Sequence, residues 1–163
     1  MDKVLSLNFQ QQQTTAWCWA AVASMVSGWY AQNTDGQAMS QCDVASATLP
    51  DVSSCCSAGS INPDCIKLWV LDQALAAVGH FAGTGDVSDL DTVIGQINAN
   101  RPLGALIEYS GITHFVLVTG YSDTRQLVVV CDPAGSQPFS TPVTAFFSNY
   151  NNGGTWGGWY FTT

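Results

Sequence analysis

Three side chains in this 163-residue sequence could together carry nucleophilic chemistry: Cys18, His114 and Asp132. Cys18 sits near the start of an apolar, alanine-rich stretch, TTAWCWAAVASMVSGWY over residues 14–30. If that stretch is a helix, its N-terminus carries positive partial charge, which favours a thiolate over a thiol. His114 opens an apolar β run after a glycine-containing loop, a junction at which rigid scaffolds often carry reactive groups. Asp132 ends the next run, Val128-Val129-Val130-Cys131, and precedes Pro133. A carboxylate there is partly desolvated and needs a donor, and an imidazole N–H would serve. Taken singly, each residue also fits an ordinary role: an inert core cysteine, a satisfied edge histidine, a turn-starting aspartate. Together they are the set that a Cys–His–Asp triad requires. The second histidine, His80, follows Gly79 at a helix end and reads as a solvated or capping residue.

The elements that must position these groups follow from periodicity. Thr14 or Thr15 is placed to cap the first helix, which ends near Gly28 and is apolar all round, hence buried. Ser40 with Asp43 has the spacing of a capping box for a short helix. Pro63 is placed to open another helix, with Leu68, Leu71, Leu75 and Val78 as its apolar stripe and Gly79 as its stop. Ser88 with Asp91 caps a fourth, with Leu90, Val93, Ile94 and Ile97 on its face and Pro102 closing it. The pattern then changes. Leu103–Tyr109, His114–Tyr121 and Gln126–Cys131 are β-branched and aromatic runs separated by turn residues. Thr141-Pro142 predicts a late helix through Tyr150, and Trp156–Thr162 a last strand. Helices first and consecutive strands afterwards predict an α+β fold with an antiparallel sheet. Residues 1–163 read as one domain, helical over about 14–100 and sheet over about 103–163.

Composition narrows the function. The formal net charge is −8, with four Lys and Arg against twelve Asp and Glu. The four cations are scattered (Lys3, Lys67, Arg101, Arg125), which argues against nucleic acid and against an anionic membrane surface. No stretch is long and apolar enough to span a bilayer. Four of the six cysteines crowd residues 42–65 without the CxxC-like pairs of a zinc site. They read as two disulfides. Bonding the neighbours Cys55 and Cys56 is geometrically poor, which leaves Cys42–Cys55 with Cys56–Cys65, or Cys42–Cys56 with Cys55–Cys65. Disulfides imply an oxidising compartment. The expectation is a secreted or extracellular chain whose leader is absent from this sequence, since residues 1–13 have no apolar core of signal-peptide length.

Around Cys18 the sequence resembles a papain-like cysteine peptidase. Gln12 lies six residues before Cys18, and Trp19 follows it, as the oxyanion-hole glutamine and a tryptophan flank the nucleophile in papain relatives. His114 lies in THFVLVTGY and Asp132 in VVVCDP. Short bacterial branches are the most similar: secreted effector proteases of plant pathogens, with a WCWAA-like motif, and the leader-cleaving peptidase domains of bacteriocin exporters, with His then Asp-Pro. Plant papains differ in having Gly-Ser before the cysteine, where this chain has Ala16-Trp17, and an Asn in place of Asp132.

The resemblance implies a papain-like fold and a cysteine endopeptidase. In it Cys18 is the nucleophile, His114 the acid–base and Asp132 its orienting group. Gln12 and the Cys18 backbone N–H form the oxyanion hole. The substrate would be a peptide or protein, the enzyme a monomer, and no metal or organic cofactor is required. The same triad also serves amidases, transglutaminase-like enzymes and peptidoglycan hydrolases, or survives in a silent binding module. Trp156 is a candidate shield for the His–Asp pair and reads more simply as packing. Cys131 points away from Asp132 by strand alternation, into the core.

Overall fold

The β-branched runs after residue 102 form the centre of a single antiparallel sheet. The computed structural model describes residues 1–163. In chain order its elements are β1 (Asp2–Val4), α1 (Cys18–Gln32), α2 (Gln41–Thr48), β2 (Cys56–Ser57), β3 (Ser60–Ile61), a 3₁₀ turn (Pro63–Cys65) and α3 (Leu71–Ala77). Then follow β4 (Phe81–Gly85), α4 (Leu90–Asn98), β5 (Leu103–Tyr109), β6 (Ile112–Ser122), β7 (Leu127–Cys131), β8 (Phe139–Pro142), α5 (Val143–Ser148) and β9 (Thr155–Thr162). The sheet order is β4-β9-β5-β6-β7-β8, with β1 added to the far end of β6. Every pairing is antiparallel. The α+β expectation holds. No helix is long and apolar enough to cross a membrane.

Strand alternation sends neighbouring residues to two different cores. Phe115, Leu117 and Cys131 face one core with α1, α2 and α3. Val116, Val118, Val128 and Val130 face the other, with Leu90, Val93 and Ile97 of α4 and Phe146 of α5. Helices therefore cover both faces, and β6 is buried from Phe115 to Ser122.

The helix carrying Cys18 is buried from Cys18 through Ser27. It begins and ends elsewhere than expected. Thr14 does not cap it. Its carbonyl accepts the Trp17 N–H (3.2 Å) and its hydroxyl the Ala16 N–H (3.3 Å), which makes a turn before the helix. Trp17 is the cap residue and offers no side-chain hydrogen bond. The helix also runs past Gly28, where the backbone is in open space and needs no break. Cys18 is thus the first helical residue, and the end it occupies is uncapped.

Other helix ends show which local signals won. The Ser40–Asp43 capping box forms in full (3.2 and 3.0 Å). Asp89, not Ser88, caps α4 by accepting the Thr92 N–H at 2.7 Å, and the helix stops at Asn98, before Pro102. Pro63 opens only the 3₁₀ turn, because Cys65 is tied to Cys55 there. Helix α3 waits until Leu71, so Leu68 leaves the predicted stripe and is exposed. Gly79 ends α3 with φ +79°, and the His80 N–H bonds the Leu75 carbonyl at 2.9 Å.

The disulfides are Cys42–Cys56 and Cys55–Cys65, the second of the two expected arrangements. They anchor a loop that receives both tryptophans flanking Cys18. The Trp17 indole N–H donates to the Cys65 carbonyl (2.8 Å) and the Trp19 indole N–H to the Lys67 carbonyl (3.1 Å). The bonded pairs are 14 and 10 residues apart. Closing a loop of such length stabilises a fold by roughly 3 kcal/mol in the chain-entropy model. Reduction is therefore expected to lower the unfolding free energy, extrapolated from urea denaturation, by about that much per loop. Non-reducing peptide mapping should recover the Cys42–Cys56 and Cys55–Cys65 pairs and leave Cys18 and Cys131 unpaired.

Candidate active site

Strands β6 and β7 pair with Leu117 opposite Cys131. Asp132 follows directly at the end of β7, and His114 lies three residues before Leu117 on β6. The Nε2–H of His114 donates to Asp132 Oδ1 at 2.7 Å. Cys18 lines the same cleft as the imidazole, and its side chain helps to raise the imidazole pKa. One cleft thus gathers the uncapped start of α1, the imidazole and the end of β7. Cys18 and Asp132 are buried and His114 is half-buried.

Asp132 is bonded on both oxygens. Oδ1 also accepts the Ala134 N–H at 2.9 Å. Oδ2 accepts the Tyr150 hydroxyl at 2.7 Å, with the Asn151 amide at 3.5 Å. The three groups open on a cleft of about 250 Å³ whose walls include Thr15, Leu68, Tyr109, Ile112 and Asn151. A larger hollow of about 450 Å³ between β4 and β9 contains neither thiol nor imidazole.

Gln12 belongs to an arm strapped across this end of the sheet. Its backbone N–H donates to the Pro133 carbonyl (2.9 Å), and its side-chain Nε2 to the Thr14 carbonyl (2.8 Å). The second Nε2 hydrogen remains, and the buried Oε1 has no partner. Cys18 has a backbone N–H with no intrahelical acceptor, as the first residue of any helix does. The arm is held by Gln41, which is 2% exposed. Gln41 accepts the Gln13 N–H (3.0 Å) and donates to the Gln11 carbonyl (2.9 Å) and Gln10 Oε1 (3.2 Å).

The model of the Peptidase_C39 like family matches residues 4–157, nearly the whole chain and every residue of the cleft described above. The chain belongs to the Peptidase_C39 like family. No curated protein matches this C39-like chain. Among solved structures, it is similar to a protein from Bacillus anthracis whose description places it among C39-like peptidases. The TM-score is 0.57 at 14% identity, over 87% of this chain and 88% of the other. The likeness is one of fold, and the mixed helical and antiparallel architecture is papain-like.

Sequence reasoning named Cys18, His114, Asp132 and Gln12, and the C39-like chain gathers the first three around one cleft, with His114 hydrogen-bonded to Asp132. It missed Tyr150, Asn151 and Gln41. The available signal for the first two was the Tyr-Asn-Asn-Gly-Gly run at 150–154, where Asn151, Asn152 and Gly153 all adopt positive φ. Trp156 does not line the cleft. It packs on Phe147 and Trp159 at 5.4 and 5.1 Å. Cys131 points to the core beside Thr119, as alternation predicts. His80 stacks on Tyr30 at 4.1 Å and bonds the Thr163 carbonyl.

Burial pushes the His114 imidazole down, but its hydrogen bond to Asp132, the neighbouring Cys18 side chain and the charges of both outweigh it and set its pKa at about 9. Burial pushes the Asp132 carboxyl up, and His114, Tyr150 and the Ala134 N–H outweigh that and hold it below its ordinary 3.8. Near neutral pH the pair is therefore imidazolium and carboxylate. The sign for stability follows. The raised His114 contributes fully below 6.5 and loses its contribution as pH rises toward about 9. The lowered Asp132 contributes above 3.8 and loses its share as pH falls further. The stability difference between wild type and His114→Gln, read from urea unfolding, is expected to narrow between pH 6.5 and about 9. A difference that stays constant across that window would contradict the pairing.

Proposed function

We propose that this chain is an exported, papain-like cysteine endopeptidase. The observation that carries the reading is the imidazole bonded to Asp132 and sharing one open cleft with Cys18 at the uncapped N-terminus of α1. In this mechanism the Cys18 sulfur attacks a peptide carbonyl and an S–C bond forms. Negative charge moves to the carbonyl oxygen, which is bound by the Cys18 N–H and the free amide hydrogen of Gln12. His114, already protonated, gives its proton to the leaving amine as the C–N bond breaks. The acyl-enzyme is then hydrolysed by a water whose proton returns to His114. Asp132 holds the ring in the orientation that both transfers need.

Two disulfides support placement in an oxidising, extracellular setting. The finer assignment to the secreted effector proteases rests on the Trp17-Cys18-Trp19-Ala20-Ala21 motif. The acidic surface disfavours acidic substrates at long range.

Cys18→Ala is expected to abolish cleavage of a casein or peptide-library substrate while leaving the melting temperature near that of wild type. Full activity in that variant would overturn the reading, and release of muropeptides in place of peptides would redirect it to peptidoglycan. Gln12→Ala is expected to lower kcat by roughly 100- to 1,000-fold, the usual effect of losing one oxyanion donor. Alkylation by iodoacetamide, followed by intact mass, should be fast at Cys18 and slow in His114→Ala.

A further inference from the structure

We propose that Tyr150 is a positioning residue of this site, the last member of a hydrogen-bonded chain His114–Asp132–Tyr150 that ends in the cleft shared with Cys18. The inference rests on the reading of Cys18, His114 and Asp132 as the reacting set.

The argument starts from the carboxylate. Asp132 is 4% exposed and makes one strong bond to the imidazole, at Oδ1. Oδ1 also accepts the Ala134 N–H at 2.9 Å. Oδ2 has one short partner, the Tyr150 hydroxyl at 2.7 Å, and one long one, the Asn151 amide at 3.5 Å. The phenol is therefore the group that fixes the second oxygen, and with it the plane of the carboxylate to which the imidazole bonds.

Tyr150 is itself immobilised. It is 1% exposed and packs edge to face on Phe146 at 5.7 Å, with Phe139 at 6.1 Å. Its backbone N–H and carbonyl both pair with Gly154, at 2.7 and 2.8 Å, across a three-residue turn. Gly154 is required there, because a Cβ would lie 2.6 Å from Ile107 Cγ2 and 2.9 Å from the Tyr150 carbonyl. Burial first, and then the neighbouring Asp132 charge, push the phenol pKa up, so the hydroxyl keeps its proton and remains a donor.

The position also separates roles. Tyr150 is not in the cleft wall, whereas its neighbour Asn151 is. Its hydroxyl bonds Asp132 from behind the cleft wall. Its loss should therefore act on turnover and on the ionisation of the pair, and not on substrate affinity.

Tyr150→Phe removes one hydroxyl and keeps the ring. Losing a hydrogen bond to a charged group is expected to lower kcat roughly tenfold, with KM within about twofold of wild type. The acid limb of the kcat/KM profile should move to higher pH, because the lost donor had held the Asp132 carboxyl down. Tyr121→Phe is the comparison. It removes a phenol bond of 2.9 Å to Asn98 at another buried tyrosine, and should leave the acid limb in place. Should Tyr150→Phe fail to fold, 3-fluorotyrosine introduced at position 150 alone keeps the packing and makes a stronger donor. It is expected to move the same limb to lower pH. Iodoacetamide labelling of Cys18 separates the two levels of inference. Labelling that does not depend on His114 would overturn the underlying triad. Labelling that does depend on it, with kcat and acid limb unchanged in the position-150 variants, would overturn the role of Tyr150 alone.

Discussion

A helix without a single charged residue, buried from Cys18 through Ser27, is the constraint around which the rest is arranged. Such a helix has no solvent face, so it must be enclosed on every side. The sheet supplies one wall, through Phe115, Leu117 and Cys131, while α2, α3 and the disulfide-bonded loop supply the others. The tryptophans at its start fix its depth and rotation. Each buries a large ring and must still satisfy an indole N–H, and each finds a backbone carbonyl two residues apart in the same stapled loop, at Cys65 and Lys67. The disulfides lie outside the cleft, yet they hold the acceptors that hold the residues on either side of the cysteine.

Burial creates the opposite problem at the end of β7. A carboxylate taken out of water must have its oxygens occupied or it will take up a proton. Asp132 meets this with an imidazolium, a backbone N–H and a phenol, and each partner comes from a different part of the chain. The same saturation that makes the charge tolerable also removes its rotational freedom. Stability and orientation are here two results of one set of bonds. The polar arm at residues 10–13 follows the same logic, with Gln41 saturating backbone and side-chain groups where that arm crosses the core.

Long periodic segments were legible in the sequence. β5 and β7 lie within a residue of their expected bounds, β6 within two, and the Ser40–Asp43 box forms as read. Weakly periodic segments were not. β1 has three residues, and β4 is Phe-Ala-Gly-Thr-Gly, whose strand state is imposed by pairing with β9 and not by propensity. Pro63 promised a helix that the Cys55–Cys65 bond cut to a single turn, a tertiary override that local signals do not carry. At the site, Cys18, His114 and Asp132 stood out by residue type and by placement at element ends. Tyr150 did not, because its run was read as the end of a helix that in fact stops at Ser148. Gln41 was invisible for a different reason: its partners lie about thirty residues away, and only the folded chain brings them together.

The arm, β6, the end of β7 and the turn at Tyr150 are contributed in that order from positions 12–18, 114, 132 and 150. A polypeptide made from its N-terminus therefore exposes its thiol long before any base exists to use it. The imidazole arrives only when β6 is threaded between β5 and β7, and the carboxylate is locked only when the last turn closes and β9 enters the sheet between β4 and β5. Because β9 pairs with β4 and β5 across a long stretch of chain, the site depends on contacts made by the last part of the sequence. Until those contacts form, the thiol at residue 18 stands apart from the imidazole and the carboxylate.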